Sequence, residues 1–280
     1  MPCKTSDMIK QLSFFLLAIA IPLLSYCQHP ETIQQIREWK FSVNPTWQDE
    51  FDKNGLPDSS KWSYDIGGSG WGNNEKQYYT NDKNAVVTSG ILNIIAKKED
   101  FKGMDYTSAR MVTKNKGDFL YGRIEVKAQL PTGRGSWPAI WMLPSTKKYG
   151  GWPNSGEIDI MEQVGYDEKN IHFSIHNEAF NWPKNTQKTA QKIIPTACSD
   201  FHIYRMDWTP DYIMGFIDGE EYFNFKNDGE GAAHWPFDEP FYLILNIAVG
   251  GNWGGQKGID DSIFPAKMLV DYVRYYSLEP

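Results

Sequence analysis

From Gly122 to Leu130 the chain alternates apolar and polar residues with period two. Such alternation builds a β-sheet with one face in the core and one in water. Further strand-like segments are Ile91–Lys97, Phe201–Trp208, Tyr212–Asp218, Glu221–Phe225, Phe241–Ala248 and Met268–Ser277. Turn chemistry separates them, as at Thr209-Pro210-Asp211 and Asp218-Gly219. No apolar run holds a helical period over three turns. The reading is all-β, and a two-sheet jelly-roll sandwich is the closure that best removes exposed edges in a domain of this size.

The 280 residues, 41% hydrophobic and 22% charged, suit one sizeable core rather than a disordered chain or a multi-span membrane protein. A net charge of −7 offers nothing to a nucleic-acid backbone. Aromatic residues reach 15%, an excess that suits sugar faces as well as core packing.

Lys4 and Lys10 precede an apolar run from Leu12 to Leu24, the length of a secretory h-region and short for a membrane span. Residues 1–27 read as a signal peptide, 28–40 as a short lead-in and 41–280 as the single folded domain. Leu24-Ser25-Tyr26-Cys27 resembles a lipoprotein box with Cys27 lipidated, while cleavage after Cys27 with Ser25 at −3 competes with it. Either route places the mature chain outside the cytoplasm, secreted or held at the cell surface through a lipid on Cys27. Cys198 is then the one cysteine of the body, so neither an intradomain disulfide nor a thiolate metal site is expected. A monomer is the default.

The chemistry concentrates in Gly156-Glu157-Ile158-Asp159-Ile160-Met161-Glu162-Gln163. On a strand Glu157 and Asp159 share a face and Ile158 and Ile160 take the other. Strict alternation would bury Glu162, which is costly, and a one-residue β-bulge near Met161 returns it to the acidic face. Three crowded carboxyls repel, so at least one holds a proton near neutral pH. A glycosidase needs one carboxylate to attack and one carboxylic acid to protonate the leaving oxygen. The α-carbons of Glu157 and Glu162 would stand roughly 13 Å apart. Side chains leaning toward Asp159 would bring the carboxyls to roughly 5–6 Å, the spacing of retaining enzymes. A solvated sheet face and a divalent-metal cluster are rival readings of three such acids, although no nearby histidine spacing completes a metal site.

The flanks narrow the choice. Trp47-Gln48-Asp49-Glu50-Phe51, Asn73 to Thr80, Ser108-Ala109-Arg110-Met111, Trp137-Pro138-Ala139-Ile140-Trp141, the acid motif and Ile247 to Trp253 together resemble glycoside hydrolase family 16, in particular its laminarinase-like endo-β-1,3-glucanases. The resemblance runs from about Trp47 to Tyr276. It implies a β-jelly roll with a cleft on the concave sheet, Glu157 as nucleophile, Glu162 as general acid/base and Asp159 as the intervening acid that positions the nucleophile and tunes its proton affinity. It further implies that Trp137 and Trp141 stack on glucosyl rings, that His176 bonds nearby, and that Asn74, Glu75 and Arg110 hold sugar hydroxyls. Lys76 beside Glu75 also allows a surface pair, and His172 and Trp253 stay open between packing and cleft edge. No cofactor is implied for catalysis. A structural Ca²⁺ is implied at Glu50, the Gly90 carbonyl and Asp271. The inserted Met161 is the form of laminarinase-, agarase- and carrageenase-like members, so the implied activity is retaining endo-hydrolysis of laminarin-type β-1,3-glucan, with mixed β-1,3/1,4 chains also in range. A binding-only glucan module and an algal-galactan hydrolase are the alternatives.

Overall fold

The computed structural model describes residues 38–280. The leader, Cys27 and nearly all of the 28–40 lead-in lie outside the described residues. The strands are β1 (Trp47–Asp49), β2 (Ser63–Tyr64), β3 (Gln77–Thr80), β4 (Ala85–Thr88), β5 (Ile91–Phe101), β6 (Met104–Val112), β7 (Asp118–Phe119), β8 (Gly122–Gln129) and β9 (Ser136–Pro144). They continue with β10 (Glu157–Glu162), β11 (Asn170–His176), β12 (Lys188–Ile193), β13 (His202–Trp208), β14 (Tyr212–Ile217), β15 (Glu220–Lys226), β16 (Phe241–Val249) and β17 (Ala266–Tyr276). The helical elements among the described residues are 3₁₀ turns, Trp182–Lys184 and Asp261–Ile263.

Two antiparallel sheets face each other. One runs β4–β5–β17–β8–β13–β14–β15, with β1 pairing on β17. The other runs β6–β16–β9–β10–β11–β12, with β2 on β6 and β7 on β16. The β5–β6 hairpin passes the chain between them, and β3 adds a parallel pairing to β6.

The alternation in β8 sorts as its sequence requires. Ile124, Val126 and Ala128 are buried between the sheets, while Arg123, Glu125, Lys127 and Gln129 face outward. Strand β16 is buried along its whole length, and two clusters explain it. Leu243, Leu245, Ile247 and Val249 join the main core. Tyr242 and Ile244 point the other way and pack with Val112, Trp141 and Leu143. The second sheet is therefore apolar on both faces at its centre, with the smaller cluster on the face turned away from the main core. Each fully buried Leu or Ile here contributes about 1.5–3 kcal/mol.

The first described residues are tied to the C-terminal residues and to the β13–β14 turn. Phe41 bridges to Leu278, and Trp39 Nε1 donates to Asp211 Oδ2 at 2.8 Å. The compact unit accordingly begins at Trp39.

Candidate active site

Gly156 turns the chain into β10 at φ 89°. A Cβ there would lie 2.9 Å from the Phe237 ring and 3.1 Å from Phe241, so both the backbone angle and the close approach require glycine. In β10, Ile158, Ile160 and Met161 are all buried in the core. Two residues fit on the core side because the register slips there. Asp159 pairs with Ser174 and Glu162 with His172, so Ile160 and Met161 together oppose Phe173 alone. This is the expected bulge, and it leaves Glu157 and Glu162 half-buried on the cleft face, with Asp159 between them at 3% exposure.

Cross-strand register assembles the rest. One row across the sheet reads Val112, Ile244, Trp141, Asp159, Ser174. A second reads Arg110, Asn246, Ala139, Glu162, His172. Two rows of residues from five strands thus lead across the sheet to the acids.

Each glutamate receives an indole N–H. Trp137 Nε1 donates to Glu162 Oε1 at 3.0 Å, and Trp152 Nε1 donates to Glu157 Oε2 at 2.9 Å. His176, paired with Glu157 in β11, sets Nε2 3.3 Å from Asp159 Oδ2 and 3.9 Å from Glu157 Oε1. Burial pushes all three carboxyls up, each to about 8. The charge of Asp159 raises both glutamates further; His176 pulls both down, and the Trp152 and Trp137 hydrogen bonds pull down Glu157 and Glu162 respectively. A cluster so raised retains at least one proton at neutral pH while leaving a partner able to ionise.

Arg110 is held more firmly than its sequence suggests. Its guanidinium lies between the Trp71 and Trp141 rings, 4.8 and 4.6 Å from their centroids, with Nε 3.0 Å from Asp65 Oδ2. Glu75 does not form a surface pair with Lys76. It is 7% exposed and accepts from Gln77 Nε2 at 2.6 Å and from the Tyr79 hydroxyl at 3.3 Å. Tyr79 accepts in turn from Asn246 Nδ2 at 3.0 Å, and Asn246 Oδ1 accepts from Trp141 Nε1 at 2.7 Å. Glu75 therefore braces the Trp141 ring through two side chains, Tyr79 and Asn246. Asn74, in the left-handed region at φ 57°, donates to Asn252 Oδ1 at 2.8 Å. His172 and Trp253 pack edge-on beside the acids: their rings meet at 4.9 Å, and Trp253 meets Trp137, the donor to Glu162, at 5.5 Å.

Sequence reasoning missed Trp71, Asp65 and Trp152. Trp152 left a faint signal, an aromatic residue with proline five positions before Glu157; Trp71 and Asp65 left none, because only long-range pairing brings them to Arg110.

The three residues implied for calcium sit on the opposite sheet. Asp271 is the bulge residue between Val270 and Tyr272. Glu50 directly follows β1, whose Asp49 pairs with Val273. Gly90 directly precedes β5, whose Leu92 pairs with Val270. Register thus brings the three toward one stretch of β17, and oxygen donors of this kind are the class that Ca²⁺ takes. Their carboxylates are engaged, however: Arg274 grips Glu50 at 2.8 Å through two nitrogens, and Lys127 reaches Asp271 at 2.7 Å. An ion would have to displace both cations.

Comparison with known proteins agrees with this geometry. The family model for glycosyl hydrolases family 16 matches residues 72–274. A β-glucanase of Rhodothermus marinus is 53% identical over 239 residues, covering 82% of this chain and 84% of its own. The solved laminarinase of Rhodothermus marinus superposes with TM-score 0.84 at 50% identity, covering 87% of this chain and all of its own. A non-specific endo-β-1,3(4)-glucanase, SCLam, solved with an oligosaccharide at its active site, gives TM-score 0.80 at 44% identity, covering 86% and 95%. The chain belongs to glycosyl hydrolase family 16.

Proposed function

We propose that this protein is a retaining endo-hydrolase of laminarin-type β-1,3-glucans that also accepts mixed β-1,3/1,4 chains. The observation that carries the reading is the bulge in β10, which returns Glu162 to the face of Glu157 across a buried, raised Asp159. Ionised Glu157 attacks the anomeric carbon while protonated Glu162 gives its proton to the leaving glycosidic oxygen. A covalent glycosyl-enzyme and a shortened glucan result. Water then attacks the same carbon, Glu162 takes its proton, and Glu157 leaves as carboxylate, so configuration is retained. Asp159 and the two indole N–H groups divide the proton between the glutamates. Trp141, Trp137 and Trp253 offer sugar-stacking faces, and Arg110 and Asn74 offer donors to hydroxyls. Relatives named β-glucanase and laminarinase support the substrate class.

We read the leader as exporting the chain, secreted or lipid-anchored at Cys27, to where such polysaccharides are met. Ca²⁺ held by Glu50, the Gly90 carbonyl and Asp271 would pin β1 and the start of β5 to β17, a structural service away from the chemistry.

The test is Glu157→Gln. Hydrolysis of laminarin is expected to vanish while oligosaccharide binding, measured by calorimetry, persists. Turnover at the parent rate would refute the nucleophile assignment.

A further inference from the structure

Asp159 Oδ2 is buried and makes no hydrogen bond. It faces Nε2 of His176, a side chain itself 7% exposed, at 3.3 Å. The same nitrogen lies 3.9 Å from Glu157 Oε1, the oxygen left free because Trp152 holds Oε2. One donor atom from each of the three residues lies within 4.8 Å of the others. Hydrolysis needs the carboxylates but leaves this corner with unspent donors.

We propose that Glu157, Asp159 and His176 form a binding site for a borderline divalent transition ion, Zn²⁺ being the reference, and that the ion closes the active site by occupying the attacking carboxylate. Zinc bonds nitrogen and oxygen at about 2.0–2.2 Å, so two ligands on one tetrahedral ion stand about 3.3–3.6 Å apart. The His176–Asp159 pair is already at that separation, and the His176–Glu157 pair reaches it by closing a few tenths of an ångström. An imidazole in the donor set selects zinc, copper or nickel over calcium and magnesium. The half-buried Glu157 leaves the remaining coordination position open to water. His176 Nδ1 is buried without a partner, so the hydrogen bond that normally fixes a ligating imidazole is missing. The ion is therefore an exchangeable inhibitor, removed by chelator, rather than a resident one. The binding stands on geometry alone; only the inhibition clause rests on the hydrolase reading.

The experiment titrates ZnCl₂ into the chelator-treated whole chain by calorimetry, without saccharide, and repeats the titration with Co²⁺ followed by its visible bands. One equivalent is expected to bind, with affinity falling at least about tenfold in His176→Gln and in Asp159→Asn. His202→Gln, which removes a surface histidine paired with Asp218, is expected to bind as the parent does. No saturable binding in the parent, or parent-like affinity in His176→Gln, overturns the site, as does loss of binding in His202→Gln alone. Should both site variants fail to fold by circular dichroism, the parent decides. Laminari-oligosaccharide must then displace Co²⁺ and bleach its bands, and bands that persist overturn the proposal. Zinc binding that follows this pattern in a protein unable to cleave laminarin would sink the hydrolase reading and leave the metal site standing.

Discussion

Replacing Trp137 by Phe removes the indole N–H, together with part of the ring, while keeping an aromatic ring on the side of Trp253. In the parent that N–H donates to Glu162 Oε1 at 3.0 Å and holds down a carboxyl that burial and the Asp159 charge push up to about 8. A hydrogen bond to a charged group contributes about 1.5–3 kcal/mol, and about 1.4 kcal/mol moves a pKa by one unit. The full effect would be about one to two units; water reaching the half-buried Glu162 replaces part of it, leaving about half to one unit. The sign is fixed: the donor stabilises the carboxylate, so its loss raises proton affinity. The alkaline limb of kcat/KM, which reports the acid of the free enzyme, should therefore move to higher pH by that amount. The assay is laminarin hydrolysis across pH for parent and variant, read as limb position rather than height, since height also carries any change in stacking. The limb belongs to the coupled cluster as a whole, but its direction does not depend on how the proton is shared. A limb that stays in place or moves down refutes the role given to this indole.

Trp152→Phe is the counterpart: Glu157 loses its donor, and the acidic limb should rise, by about half a unit because the 45% exposed indole is readily replaced by water; an unmoved acidic limb refutes it. Asp159→Asn should stabilise the fold at alkaline pH. Burial lifts Asp159 from 3.8 to about 8, so its contribution is fully present below pH 4 and is lost as pH rises through 8. The neutral amide avoids that loss, and the melting temperature should exceed the parent's by several degrees at pH 9 and match it at pH 4, a pattern that a uniform shift would contradict. If calcium binds at Glu50, Gly90 and Asp271, chelator should lower the melting temperature by about 5–10 °C, the equivalent of about 2.7 kcal/mol at a hundredfold excess over Kd. An unchanged melting curve removes that site.

The strands that sequence resolved best are those with one wet face. In β8 the alternation of Ile124, Val126 and Ala128 with charged neighbours left no other face assignment. Strands β6 and β9, buried on most positions, carry no such alternation and were not delimited. The bulge in β10 was legible for an energetic reason: Glu162 had either to be buried unpaired or to be returned to the acids, and only one added residue returns it.

What the sequence by itself determined was therefore local: the sheet architecture, the acidic face of β10 and its bulge, each following from a period of two and the cost of burying charge. Only tertiary structure decided what surrounds those acids. His176 meets Asp159 and Glu157 because β11 pairs antiparallel to β10 in one register, and Arg110 is clamped because β6, β16 and β9 lie side by side. Register between strands distant in sequence is set by packing across the whole sandwich, where a shift of one residue would turn every one of these side chains to the other face.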